Sequence, residues 1–149
     1  MKIYFDELDK NEPSGVQWKG QNVCFVATRP VIVQPSEIMK VPLNLALKIE
    51  EGCVLIVGTH PDLYDRVATL FPDYLMFDDS VNEKPLELAV RNSGRNPLHL
   101  MIGDLVAIGY LCSTVALEPE PFSISYEKPK VPPKSRPSKK NPNVEFEIT

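Results

Sequence analysis

LELAVRNSGRNPLHLMIGDLVAIGYL, residues 86–111, holds three apolar runs separated by turn residues. In the first run Leu86, Leu88 and Val90 alternate with Glu87, Ala89 and Arg91, the period-two pattern of a strand that buries one face. Asn92-Ser93-Gly94 and Gly103-Asp104 then mark turns, since glycine supplies the positive φ that tight connections need. The stretch therefore predicts strands over 86–92, 98–102 and 105–112. Working outward, short apolar runs predict further strands over 23–27, 31–33, 38–49, 53–58 and 74–77, with Glu50-Glu51-Gly52 as another turn. Val41, Leu43, Leu45 and Leu47 recur at period two, and Pro42 among them signals an edge or a bulge because it lacks a backbone donor. Between residues 61 and 71 the period changes. Leu63, Tyr64, Val67, Leu70 and Phe71 recur every three to four residues behind His60-Pro61-Asp62, so one short helix is expected there. Many short strands at regular spacing define an all-β class, a sandwich or barrel.

The chain has 149 residues, enough for one domain with a real core. No run reaches the roughly 18–20 apolar residues of a membrane-spanning helix, so no membrane partner is expected. The start, MKIYFDELDKNE, lacks the apolar block of a signal peptide, which predicts a host-cytoplasmic or virion location rather than secretion. Cys24, Cys53 and Cys112 lie apart in apolar runs and read as buried thiols. His60 and His99 have no ligand partners at metal spacing, so no metal site is expected. The net charge of −4 is unevenly spread. Residues 1–122 carry ten Lys/Arg against seventeen Asp/Glu, a net −7, whereas residues 123–149 carry six against three, a net +3. The acidic body is a poor nucleic-acid surface, and only the C-terminal part offers one.

That part, residues 118–149, follows an N-terminal segment (1–21) and a β domain (22–117). Seven of the fifteen prolines fall in the last 33 residues, which favours an extended arm. Residues 127–143 alone span on the order of 50 Å at about 3.1 Å per residue. Lys128, Lys130, Lys134, Arg136, Lys139 and Lys140 form a basic run suited to an acidic neighbour. Val144, Phe146 and Ile148 alternate with polar residues, the pattern of a strand that docks on a sheet edge; a solvated tail is the other reading of the same composition.

The segment 86–111, with Asn92-Ser93-Gly94, Gly103-Asp104 and Val106-Ala107-Ile108, resembles the C-terminal half of the dUTPase and dCTP deaminase superfamily. Upstream, LNLALKIEEGCVLIVGT (43–59) is similar to the stretch in which that family runs a strand through a turn into its substrate loop. The resemblance spans residues 22–115. It implies a distorted β-barrel or jelly-roll, a homotrimer, and C-terminal arms that reach a neighbouring subunit. The functional motifs depart from the family pattern. Thr59-His60-Pro61-Asp62-Leu63 stands where dUTPases have an Arg-Ser-Gly-Leu phosphate loop, and loses the phosphate-gripping side chains. Asp78 or Asp79 falls near the family's water-activating aspartate, without the accompanying glycine and tyrosine. Ala89 stands where a deaminase has its catalytic glutamate, with Glu87 two residues earlier on the same strand face. Ile108 replaces a glutamine, and the glycine-rich phosphate lid has no counterpart in the proline-rich arm.

A kept fold with a lost site predicts a non-enzymatic, trimeric structural protein without cofactors, a viral capsid decoration or accessory protein that locks onto neighbouring structural subunits through its arm. The alternative is a divergent dUTPase or dCTP deaminase type of pyrimidine nucleotide enzyme, with Asp78, Asp79, Glu87 and His60 as candidate catalytic residues and Mg²⁺ as cofactor. A nucleotide-sensing regulatory binder is a third reading.

Overall fold

The computed structural model describes residues 1–19 and 22–114, together with Glu120, Pro121, Ser123 and Ser125. The chain divides into two units, Met1–Ala116 and Leu117–Thr149. The basic run 128–140 and the strand pattern at 144–148 lie outside the described residues.

The first unit is built from β1 (Ile3–Glu7), β2 (Val16–Lys19), β3 (Asn22–Val26), β4 (Val31–Val33), β5 (Ile38–Ile49), β6 (Cys53–Thr59), α1 (Pro61–Asp65), β7 (Ala68–Leu70), β8 (Tyr74–Phe77), a 3₁₀ turn (Asp79–Val81), β9 (Pro85–Asn92), β10 (Leu98–Leu100) and β11 (Leu105–Ser113). Four strands pair in the order β1-β5-β9-β7, five in the order β2-β3-β11-β6-β8, and β10 pairs with β4. Every pairing is antiparallel. The all-β expectation holds. One core joins the sheets: Val41, Leu43, Leu45, Leu47 and Ile49 of β5 cluster with Phe25, Leu55, Val57, Leu88 and Val90. Each such side chain contributes roughly 1.5–3 kcal/mol by leaving water.

Pro42 sits at the expected bulge. The register of β5 on β9 shifts between Pro42 and Ala46, and Asn44 inside the shift has φ 55°. Asparagine tolerates that left-handed conformation better than most residues. Its buried side chain accepts from the Asp9 amide at 2.8 Å and donates to the carbonyls of Asp9, Glu12 and Pro13 at 2.9, 3.3 and 3.1 Å. One residue thus ties the loop between β1 and β2 to the central strand. Beside it, the Gly15 amide donates to the Leu43 carbonyl at 2.9 Å. A Cβ on Gly15 would lie 2.3 Å from that oxygen, so no larger residue fits.

The structure corrects four expectations. The helix stops at Asp65, and Ala68–Leu70 is a strand paired with Val90–Asn92 of β9. Val67 breaks the helix by adopting φ 57°. Strands β1 and β2, unforeseen, edge the two larger sheets. The strand expected to reach residue 102 ends at Leu100, because Met101 and Ile102 enter the turn set by Gly103 at φ 91°. Cys24 and Cys53 are buried as expected, but Cys112 is exposed. Trp18 is also exposed and meets Phe5 edge-on at 5.5 Å. Among the described residues no helix is long and apolar enough to cross a membrane.

Candidate functional site

β8 is the outer strand of the five-stranded sheet, while β9 lies inside the four-stranded one. Residues 78–84 therefore cross from one sheet to the other. The Asp78 carboxylate opens the crossing by accepting from the Ser80 amide at 2.9 Å. Hydrogen bonds from Ser80, its hydroxyl first and its backbone N–H second, hold the Asp78 carboxyl below the ordinary aspartate value of 3.8, because they favour the charged form. Asn82 pins the crossing to the end of β5: its Oδ1 accepts from the Ile49 amide at 2.6 Å and its Nδ2 donates to the Ile49 carbonyl at 3.1 Å. The Glu83 amide adds a bond to the Leu47 carbonyl at 2.9 Å.

This crossing walls a cleft of about 360 Å³, inside the roughly 300–1,000 Å³ range of small-molecule sites. Phe71, Leu75, Phe77 and Val81 line it with apolar surface, and Lys40, Lys84 and Glu87 supply charge. Lys40 Nζ and the Glu87 carboxylate are 3.7 Å apart. Phe71 is half exposed, with the Arg91 guanidinium 5.9 Å from its ring centre.

The four candidate residues are not gathered in one place. His60 caps α1, its Nδ1 accepting from the Asp62 amide at 3.0 Å. Phe77 pairs with Leu55, so Asp78 begins near the Leu55 end of β6 and His60 lies past the other end. At about 3.3 Å per residue these positions are separated by roughly 17 Å. Asp79 is exposed and makes no ion pair among the described residues. Glu87 lies on the cleft wall with Lys40 as its partner. Among the described residues no group of three His, Cys, Asp or Glu side chains converges as a metal cage. Mg²⁺, which is commonly held by one or two carboxylates together with substrate phosphates, fits Asp79 only in that shared manner.

Reading the sequence missed Lys40, Lys84 and Phe71. Lys40 and Lys84 lie on segments far apart in sequence, and Phe71 was assigned to a helix. The Gly103-Asp104 turn has a structural role instead: Asp104 Oδ2 accepts from the Met101 amide at 2.8 Å and pairs with Arg66 Nη1 at 2.9 Å. Arg66 also donates to the His99 carbonyl.

Antiparallel sheets packed around one core make up a fold that this chain shares with dUTPases of known structure. EIAV dUTPase superposes with a TM-score of 0.66 at 8% identity, covering 85% of this chain and 100% of that one. The dUTPase of Staphylococcus bacteriophage 80alpha, one of the phage dUTPases that control transfer of virulence genes by a proto-oncogenic G protein-like mechanism, gives 0.65 at 12% identity, covering 86% and 99%. The dUTPase of Streptococcus mutans gives 0.65 at 13% identity, covering 77% and 98%. No family model matches the chain, and no curated protein matches it by sequence. These likenesses establish the fold. They also overturn the expected role as a non-enzymatic capsid-decorating protein, because the solved structures that share this fold are named as dUTPases. The lost motif residues that suggested a structural role are absent from the chain, but the crossing and its cleft are present.

Proposed function

We propose that this chain handles a pyrimidine deoxynucleotide, as a divergent dUTP diphosphatase. The observation that carries the reading is the cleft beside the 78–84 crossing, apolar on its walls and cationic at two lysines. A pyrimidine has a flat apolar face suited to Phe71 or Phe77, and its phosphates suit lysine. Asp78 is held as a carboxylate by Ser80 and fixes the crossing. Asp79, exposed beside it, is the group that takes a proton from the attacking water. Bound Mg²⁺ would supply charge neutralisation at the phosphates. Incubation of the protein with dUTP and Mg²⁺ is expected to release pyrophosphate, and Asp79→Asn to lower the rate about 100-fold or more. No release by the unaltered chain would sink the catalytic reading.

A nucleotide-sensing binder is the second reading. It is favoured by His60-Pro61-Asp62, which forms a helix cap where a phosphate loop would be needed. Calorimetry separates the two, since a sensor binds dUTP without turnover.

We also propose a homotrimer. Met76, Ile56 and Tyr110 face one another across β8, β6 and β11 in direct register. Met76 and Tyr110 are 62% and 48% exposed. Such an apolar row on a sheet face suits burial against another copy. A second copy would also supply groups that one chain keeps about 17 Å apart along β6.

A further inference from the structure

We infer that Lys84 and Lys40 are the phosphate grip of the cleft, and that Glu87 restrains this grip by occupying Lys40. The inference rests on the nucleotide reading above and assigns the recognition of the phosphates to named residues.

A polyphosphate bound in low water needs charge-assisted donors. The segment Thr59–Leu63 offers none: His60 Nδ1 already accepts from the Asp62 amide, and Asp62 is itself an anion. Three arginines are already engaged. Arg29 binds both oxygens of Glu12 at 2.8 and 3.0 Å, Arg66 is paired with Asp104, and Arg91 lies over Phe71. Lys40 and Lys84 are the two cations that line the cleft. Lys84 makes no ion pair among the described residues. Its backbone is fixed, because its amide donates to the Val81 carbonyl at 3.2 Å while Glu83 at φ 68° bonds to Leu47. The lysine is therefore aimed by the same crossing that walls the cleft.

Lys40 is different. Lys40 pairs with Ala89 and Pro42 with Glu87 across β5 and β9, which makes Lys40 and Glu87 diagonal neighbours. Their 3.7 Å contact has both side chains largely in water, 79% and 49% exposed. Exposed pairs of this kind are weak, so a triphosphate with several negative charges displaces one carboxylate readily. Phosphate binding thus draws Lys40 away from Glu87, and the two anions compete for one cation.

The competition makes predictions of opposite sign. Calorimetry on the full chain at low salt, with EDTA to prevent turnover, compares deoxyuridine, dUMP and dUTP. Lys84→Gln is expected to weaken dUTP about tenfold, the size of one charge-assisted contact, and to leave deoxyuridine unchanged. Glu87→Gln is expected to tighten dUTP about threefold by freeing Lys40, and raising the salt should shrink both effects. Circular dichroism melts show that each variant is folded. If the unaltered chain binds neither deoxyuridine nor dUTP, the nucleotide reading falls and this inference with it. If it binds dUTP but Lys84→Gln binds equally well, or Glu87→Gln binds more weakly, the lysine grip alone is overturned.

Discussion

Asn44 combines a left-handed backbone with a side chain that makes four hydrogen bonds to the β1–β2 loop. Alanine would lose the bonds and keep the unfavourable φ, leaving part-buried backbone groups without this partner,. Asn44→Ala is therefore expected to cost about 3 kcal/mol, measured by urea denaturation. Asn44→Gly accepts the φ but loses the bonds, and should fall between the two. Asp78 makes a prediction about acid. Its carboxyl titrates lower in the folded chain than in the unfolded one, so its contribution is fully present above the ordinary value of 3.8 and is lost as pH falls through the folded value,. NMR titration of the Asp78 carboxyl should show an inflection below 3.8, and Ser80→Ala should raise it. Neither role was legible beforehand. Asn44 falls between the apolar positions of the alternation, where a polar residue is ordinary, and does not announce its partners, which lie more than 30 residues away. Asp78 was singled out as a candidate catalytic carboxylate, and its bond to the Ser80 amide is visible only in the geometry.

At the level of the element, strands with clean alternation were readable. β6 and β9 bury every second residue, β5 does so from Val41 onward apart from the additionally buried Asn44, and the 86–92 expectation differs from β9 by one residue. The stretch 61–71 was misread because two periods overlap there. Val67, Leu70 and Phe71 fit a helix, while Ala68 and Leu70 fit a strand. Pairing with β9 decides between them, and the Leu70 amide also gains a bond to Thr59 Oγ1 at 3.0 Å. Such tertiary contacts override local preference. The decision has a local cost, since Val67 is β-branched and sits at φ 57°, a conformation costing roughly 1–2 kcal/mol per residue. Val67 is also exposed, so Val67→Asn loses little packing. It should stabilise the chain by about 0.5–1 kcal/mol, read as a raised denaturation midpoint with an unchanged slope. The cleft was illegible for a related reason. Glu87 was found by its place on a strand, but Lys40 and Lys84 become neighbours of one cavity only after the chain crosses between sheets.

For the whole molecule, the resemblance in residues 86–111 led to the right fold, and inference from missing motif residues led to the wrong function. Absent residues say what a site has lost; they do not say which side chains have taken over. The homotrimer proposal is tested at this scale. Sedimentation should report about three times the 16.7 kDa chain mass, and Met76→Lys should shift it to the single-chain value, since burying an unpaired lysine is costly. A single-chain mass for the unaltered protein would remove the proposal. Cys112 gives the same surface a built-in label. Two of the three thiols are buried and Cys112 is exposed. It follows Tyr110 by two residues on β11, and hence shares its face. A maleimide dye should react there alone, and the dye's reaction rate would rise as dilution separates the copies, turning one cysteine into a gauge of self-association.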